Sequence, residues 1–150
     1  VAGGRECLVN ALALAEEGLA RDSNAFHFKV VLVLLYGALG LPGPMLKTYQ
    51  TLEVKNVQHE TVSYLVLDAL AACGLAEQLR EASGNIIGFH EDFDKDAGSS
   101  LQSALQSGVY HRLPEYLQSL DTMGRSILWA RAVLDEALCE IGQAQTWEVL

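Results

Sequence analysis

Four glycines, Gly40, Gly74, Gly108 and Gly142, recur at a constant interval of 34 residues in this 150-residue chain. With 13 glycines present, the series carries weight only if the columns around it agree. One residue before each glycine stand Leu39, Cys73, Ser107 and Ile141; four before stand Tyr36, Leu70, Ala104 and Leu138; eight before stand Leu32, Val66, Ser100 and Leu134. Offsets of this kind share one face of an α-helix. The pattern is therefore a helix face copied four times, most polar in the third copy, with a glycine at each helix end, where a left-handed residue is favoured.

Thirty-four residues is the length of a tetratricopeptide repeat, one helix-turn-helix per unit. The remaining consensus positions of that repeat are poorly met, so the expected fold is all-α: a right-handed α-solenoid of antiparallel helical hairpins with divergent tetratricopeptide-like repeats. Residues 1–150 would form a single section of such an array. Each hairpin buries one face on the next, and the array presents a long concave surface.

The most apolar stretch, Val30-Val31-Leu32-Val33-Leu34-Leu35-Tyr36, predicts a helix without a polar face, which should be covered from two sides. Leu8, Leu12, Ala15 and Leu19 predict an amphipathic helix before it, stopping near Asp22, with Ser23 and Asn24 as caps for the apolar helix. Pro42-Gly43-Pro44 predicts a tight turn, and Met45, Tyr49 and Leu52 one face of a short helix. Past the polar link Lys55 to Thr61, a broad apolar face runs through Val62, Leu65, Val66, Ala69, Leu70 and Cys73. Leu75, Leu79, Ala82, Ile86, Phe89 and Phe93 predict a further helix weakened by Gly84 and Gly88. A loop is expected at Asp94-Lys95-Asp96-Ala97-Gly98, then a short helix through Leu101, Ala104 and Leu105, opened by Ser99 with Gln102 in capping-box spacing. Pro114 fits the first turn of the next helix, followed by Tyr116, Leu117 and Leu120. Ile127, Leu134, Leu138 and Ile141 mark the apolar face of the last full helix, expected to end at Gly142. Trp147, Val149 and Leu150 read as the start of another packed element. The chain opens without an initiating Met, a basic n-region or a cleavage signature, as an excised piece of a longer protein would.

Half of the residues are hydrophobic while the formal charge is −9, which indicates a folded chain with an acidic exterior. Ten Lys and Arg, scattered and outnumbered by 19 Asp and Glu, form no basic stripe, so direct nucleic-acid binding by this segment is not expected. Lys29 on one side and Pro42 and Pro44 on the other leave the apolar run about half of the roughly 20 residues a membrane span needs. No membrane role is expected. Cys7, Cys73 and Cys139 each sit among Leu, Ala and Val, which predicts reduced cytosolic thiols used as small apolar side chains.

The sequence offers no catalytic, cofactor-binding or metal-ligating set. Asp92, Asp94 and Asp96 match the first three ligand positions of a calcium loop, but Ala97 stands where the sharp turn requires Gly, and Ser103 where a bidentate Glu should close the shell. An acidic inter-helix loop is expected in its place. His27, His59, His90 and His111 show no metal-ligand spacing. His59-Glu60 is half of a zinc-protease motif, with Ser63 where the second ligand belongs. No nucleophile elbow or phosphate-cradling glycine loop is present. Tyr36, Tyr49, Tyr64, Tyr110 and Tyr116 lie mostly on apolar faces and read as core filler, with an interface role open for one or two.

Word by word, the chain resembles the auxiliary, non-catalytic subunit of the N-terminal acetyltransferase B (NatB) complex. The matching residues are Leu35-Tyr36, Leu39-Gly40 and Gly43-Pro44, then Tyr49, Leu52, Lys55, Gln58-His59-Glu60-Thr61 and Tyr64-Leu65, and later Ser107-Gly108, Tyr110 and Leu113-Pro114-Glu115-Tyr116. That family usually carries Asp where Glu60 stands. The resemblance implies a large cytoplasmic helical-repeat scaffold, of which this is one section. It would wrap a small acetyl-CoA-dependent catalytic subunit and help present it to nascent chains at the ribosome. Acetylation in that family is directed at an initiator Met followed by Asp, Glu, Asn or Gln, and both the transfer and the cofactor belong to the partner, so no catalytic residue is implied here. Ribosome contact would reside in other parts of the parent chain. The competing readings are an unrelated tetratricopeptide-like adaptor gripping peptide tails, for which Lys29, Asp68, Gln102 and Arg131 make a thin inner set, and an enzyme in its own right, for which no cluster is visible.

Overall fold

The computed structural model describes the backbone of residues 2–147 and the side chains of residues 3–142, and every regular element among them is helical. In chain order they are α1 (Ala2–Arg21), α2 (Phe26–Ala38), α3 (Pro42–Gln50), α4 (Gln58–Val62), α5 (Tyr64–Ala72), α6 (Ala76–Gln106), the 3-10 turn η1 (Tyr110–Arg112), α7 (Leu113–Gly124) and α8 (Ile127–Trp147). The chain divides into two compact units, Val1–Leu79 and Arg80–Leu150. Of the packed element expected from Trp147, Val149 and Leu150, only the backbone of Trp147 is described, as the last residue of α8; the rest lies outside the described residues.

The glycine series has a structural cause. Gly40, Gly74 and Gly108 have φ of +70°, +68° and +71°, the left-handed region in which a Cβ is penalised. In each case the N–H after the glycine reaches back five residues: Leu41 to Tyr36 at 2.9 Å, Leu75 to Leu70 at 3.0 Å and Val109 to Ala104 at 2.9 Å. The glycine N–H itself reaches back three, to Gly37, Ala71 and Leu105. These are three Schellman terminations, which satisfy carbonyls that the helix end would otherwise orphan. Gly142 departs from the series: it lies inside α8, which continues to Trp147, and it is not among the positive-φ glycines.

In the first unit, α2 packs against α1, α3 and α5. Its crossing with α3 and α5 is set by Gly37, where an added Cβ would meet Ala69 Cβ at 3.3 Å and Met45 Sδ at 3.4 Å. The buried residues are large and aliphatic: Leu32, Val33, Met45, Leu65, Val66, Leu67 and Leu70. Full burial of side chains of this kind contributes about 1.5–3 kcal/mol each. The apolar run is only half covered, however. Leu32 and Val33 are buried while Val31 and Leu34 remain 44% and 48% exposed, which corrects the expectation of cover on two sides.

Other local expectations shift in the same region. Pro42 and Pro44 do not form a separate tight turn but open α3, where a missing N–H costs nothing and φ is already helical. The residue before α2 is Ala25, with no side-chain cap; Asn24 donates its backbone N–H to Asp22 Oδ1 at 3.1 Å. The apolar face after the polar link is broken into α4 and α5 at Ser63.

The loop expected at 94–98 is absent: a single helix, α6, begins at Ala76 near the end of the first unit and runs to Gln106 in the second, which also removes the hairpin expected for the third copy. Leu79, Ser83, Ile86, His90, Ala97 and Ala104 are buried at alternating three- and four-residue steps or their sum. That unbroken stripe outweighs the glycines, each of which costs about 1 kcal/mol relative to Ala. Gly84, Gly88 and Gly98 face open space. Lys95 pairs with Asp92 at 3.3 Å, one turn away on the same helix.

Candidate protein-binding face

The polar residues singled out in the sequence have structural places. Gln58 Oε1 accepts the Lys55 backbone N–H at 3.0 Å, closing a link in which Glu53 and Asn56 take φ of 49° and 52°. The Tyr49 hydroxyl lies 3.0 Å from the buried Ser63 hydroxyl and joins α3 to the α4–α5 break. Burial raises the Tyr49 pKa, against a smaller lowering by the Ser63 hydrogen bond. His59 Nδ1 is buried without a hydrogen-bond partner, and desolvation lowers its pKa, so the neutral ring is favoured. Tyr36 donates to Glu16 Oε1 at 2.5 Å; desolvation first, then that bond and the carboxylate charge push its pKa up to about 12. Tyr64 and Tyr110 are exposed and so are not core filler.

These groups do not converge. Asp92, Asp94 and Asp96 lie on the continuous helix α6, where residues two apart point in different directions. Among the described residues, no group of three or more His, Cys, Asp or Glu is arranged to hold a metal ion. Cys7 and Cys73 are exposed free thiols and Cys139 is half-buried, so the first two do not serve as apolar filler. Among the described residues, no helix is long and apolar enough to cross a membrane.

What the second unit does offer is an apolar ridge. On α8, Ile127 is 86% exposed and Leu134, Leu138 and Ile141 are each 55–56% exposed. Ala130 and Ala137 continue the same ridge. The apolar face read from the sequence is thus open, and the buried side of α8 carries Ala132 and Asp135, the latter bonded to Arg131 at 2.8 Å. Leu134 and Leu138 occupy the columns of Leu32 and Val66, and of Tyr36 and Leu70. In the first unit Leu32, Val66 and Leu70 are at most 2% exposed. Leu134 and Leu138 are therefore open where Leu32, Val66 and Leu70 are buried, although Tyr36 is half-buried and Ala104 of the second unit, in the Leu138 column, is buried. An exposed apolar ridge of this kind is a face that another protein element can cover.

Comparison with known proteins points to a non-catalytic family. Residues 3–146 match the family described as the N-acetyltransferase B complex (NatB) non catalytic subunit. The rat N-alpha-acetyltransferase 25, NatB auxiliary subunit, is 26% identical over 140 residues, covering 93% of this chain and 14% of the relative. Its human counterpart is 25% identical over 139 residues with the same coverage. The Phagocyte signaling-impaired protein of Aedes aegypti is 27% identical over 141 residues, covering 91% of this chain and 15% of the relative. The chain spans only 14–15% of the length of these relatives. With a match that runs nearly end to end, this chain belongs to the family of non-catalytic NatB subunits.

Proposed function

We propose that this chain is one section of a helical-repeat scaffold that holds a separate catalytic acetyltransferase subunit in the cytoplasm and supports co-translational N-terminal acetylation. The carrying observation is the open α8 ridge, whose columns Leu134 and Leu138 repeat positions filled and covered in the first unit. Repetition with burial at one copy and exposure at another is what an array expects, because each helix pair needs a neighbour to cover its face. The three Schellman ends at one spacing support the same reading. Acetyl transfer and acetyl-CoA belong to the partner chain in this reading. Ribosome contact falls to other parts of the parent protein, since a net charge of −9 disfavours rRNA phosphates here.

Co-expression of the full parent chain with a small acetyltransferase-fold subunit tests this. A stable stoichiometric complex is expected. Recovery of chaperone tails from cytosol in place of an acetyltransferase would overturn the scaffold reading in favour of a peptide-gripping adaptor.

A further inference from the structure

A hollow of about 170 Å³ at the corner between α7 and α8 is lined by His90, Glu91 and Asp94 of α6, by Met123 and Gly124, and by Trp129. The corner is fixed by its backbone: Ser126 N–H reaches the Met123 carbonyl at 3.0 Å, and Ser126 Oγ accepts the Trp129 N–H at 2.9 Å as a helix cap. The indole is 40% exposed, with its centroid 6.2 Å from the buried His90 ring, which limits its movement. Glu91 and Asp94 are one turn apart on α6, exposed, and engaged in no ion pair or hydrogen bond with a described residue.

An aromatic wall, a thioether and two unused carboxylates around one small hollow form a receptor for a long cationic side chain. We propose that this hollow takes a single arginine side chain presented by a partner protein, its guanidinium against Trp129 and its N–H groups on Glu91 and Asp94. Arginine suits the site better than lysine because the planar guanidinium can stack on the indole while donating in its own plane to carboxylates. The site is independent of the α8 ridge and does not depend on the identity of the scaffold's catalytic partner.

The test uses 5-fluorotryptophan incorporated into the full parent chain, with Trp129→Phe identifying the resonance, and N-acetyl-arginine methylamide as the probe. A saturable shift of the Trp129 signal is expected. The citrulline analogue, equal in shape and uncharged, should leave the signal in place, and the lysine amide should bind at least threefold more weakly. Glu91→Gln with Asp94→Asn should weaken arginine binding at least fivefold while the thermal midpoint is retained. No shift with arginine, an equal shift with citrulline or lysine, or unchanged binding by the double variant would each overturn the proposal.

Discussion

The two units differ in the side chains they bury. In the first, the repeat face supplies Leu32, Val66 and Leu70 to a core of large aliphatic side chains. In the second, the buried set is Ser83, Ile86, His90, Ala97, Ala104, Ala132 and Asp135, small or polar apart from Ile86, while Leu105, Leu117, Leu134, Leu138 and Ile141 are exposed. Hydrophobic stabilisation scales with the apolar area removed from water, so the larger aliphatic core of the first unit contributes more to its stability, while both units expose large hydrophobic side chains, Leu14 and Val57 in the first among them. An apolar helix face has no fixed character. Its burial depends on whether a neighbour is present.

The largest effect that could break this contrast is truncation of equivalent leucines. Leu70→Ala should cost about 3 kcal/mol, as large-to-small changes in filled cores do. Leu138→Ala in this 150-residue segment should cost less than about 1 kcal/mol. Urea unfolding of the two variants measures both, and equal losses would mean that the α8 ridge is covered.

The glycine columns give the next largest effect. Gly74→Ala places a Cβ at φ +68° and should destabilise by about 1–2 kcal/mol. Gly142→Ala, in helical backbone, should stabilise by up to about 1 kcal/mol. Opposite signs in thermal midpoint are expected, and a loss at both positions would restore Gly142 to the terminating series. Smaller still, Ser83→Ala removes a hydroxyl that is buried without a partner, and should raise the stability of the second unit by about 1 kcal/mol.

The smallest effect is a pH dependence confined to the first unit. Tyr36 has its pKa raised from 10.0 to about 12, so the fold favours the protonated phenol; its contribution is complete below pH 10 and is lost as pH rises from there through 12. The hydrogen bond to Glu16 is exposed, and solvent screening keeps the effect small. Tyr36→Phe should flatten the stability profile in that window, as followed by circular dichroism.

Much of this was legible in the sequence because its signals were periodic. The 34-residue glycine series predicted four helix ends, of which Gly40, Gly74 and Gly108 are ends and Gly142 is not, and the glycine–proline and Gln58-His59-Glu60-Thr61 words pointed to the family. The failures share a physical origin. Asp94-Lys95-Asp96-Ala97-Gly98 has the composition of a loop, but Phe93, Ala97 and Ala104 keep the stripe of α6 in register, and packing along a stripe outweighs local preference. Pro42 and Pro44 signal both a turn and a helix start, and only the backbone that follows decides between them. On α8, apolar residues at helical spacing identified a face but could not say whether a neighbour covers it. The hollow beside Trp129 joins residues from three elements, and no spacing in the sequence announces it.

The claim on which the account rests is that this protein's part in acetylation is to hold a catalyst. The direct measurement is acetyl transfer from acetyl-CoA to a peptide beginning Met-Asp, with the full parent chain assayed alone and then with its catalytic partner. The account predicts no transfer by the parent chain alone and robust transfer once the partner is added. Turnover by the parent chain alone would contradict it.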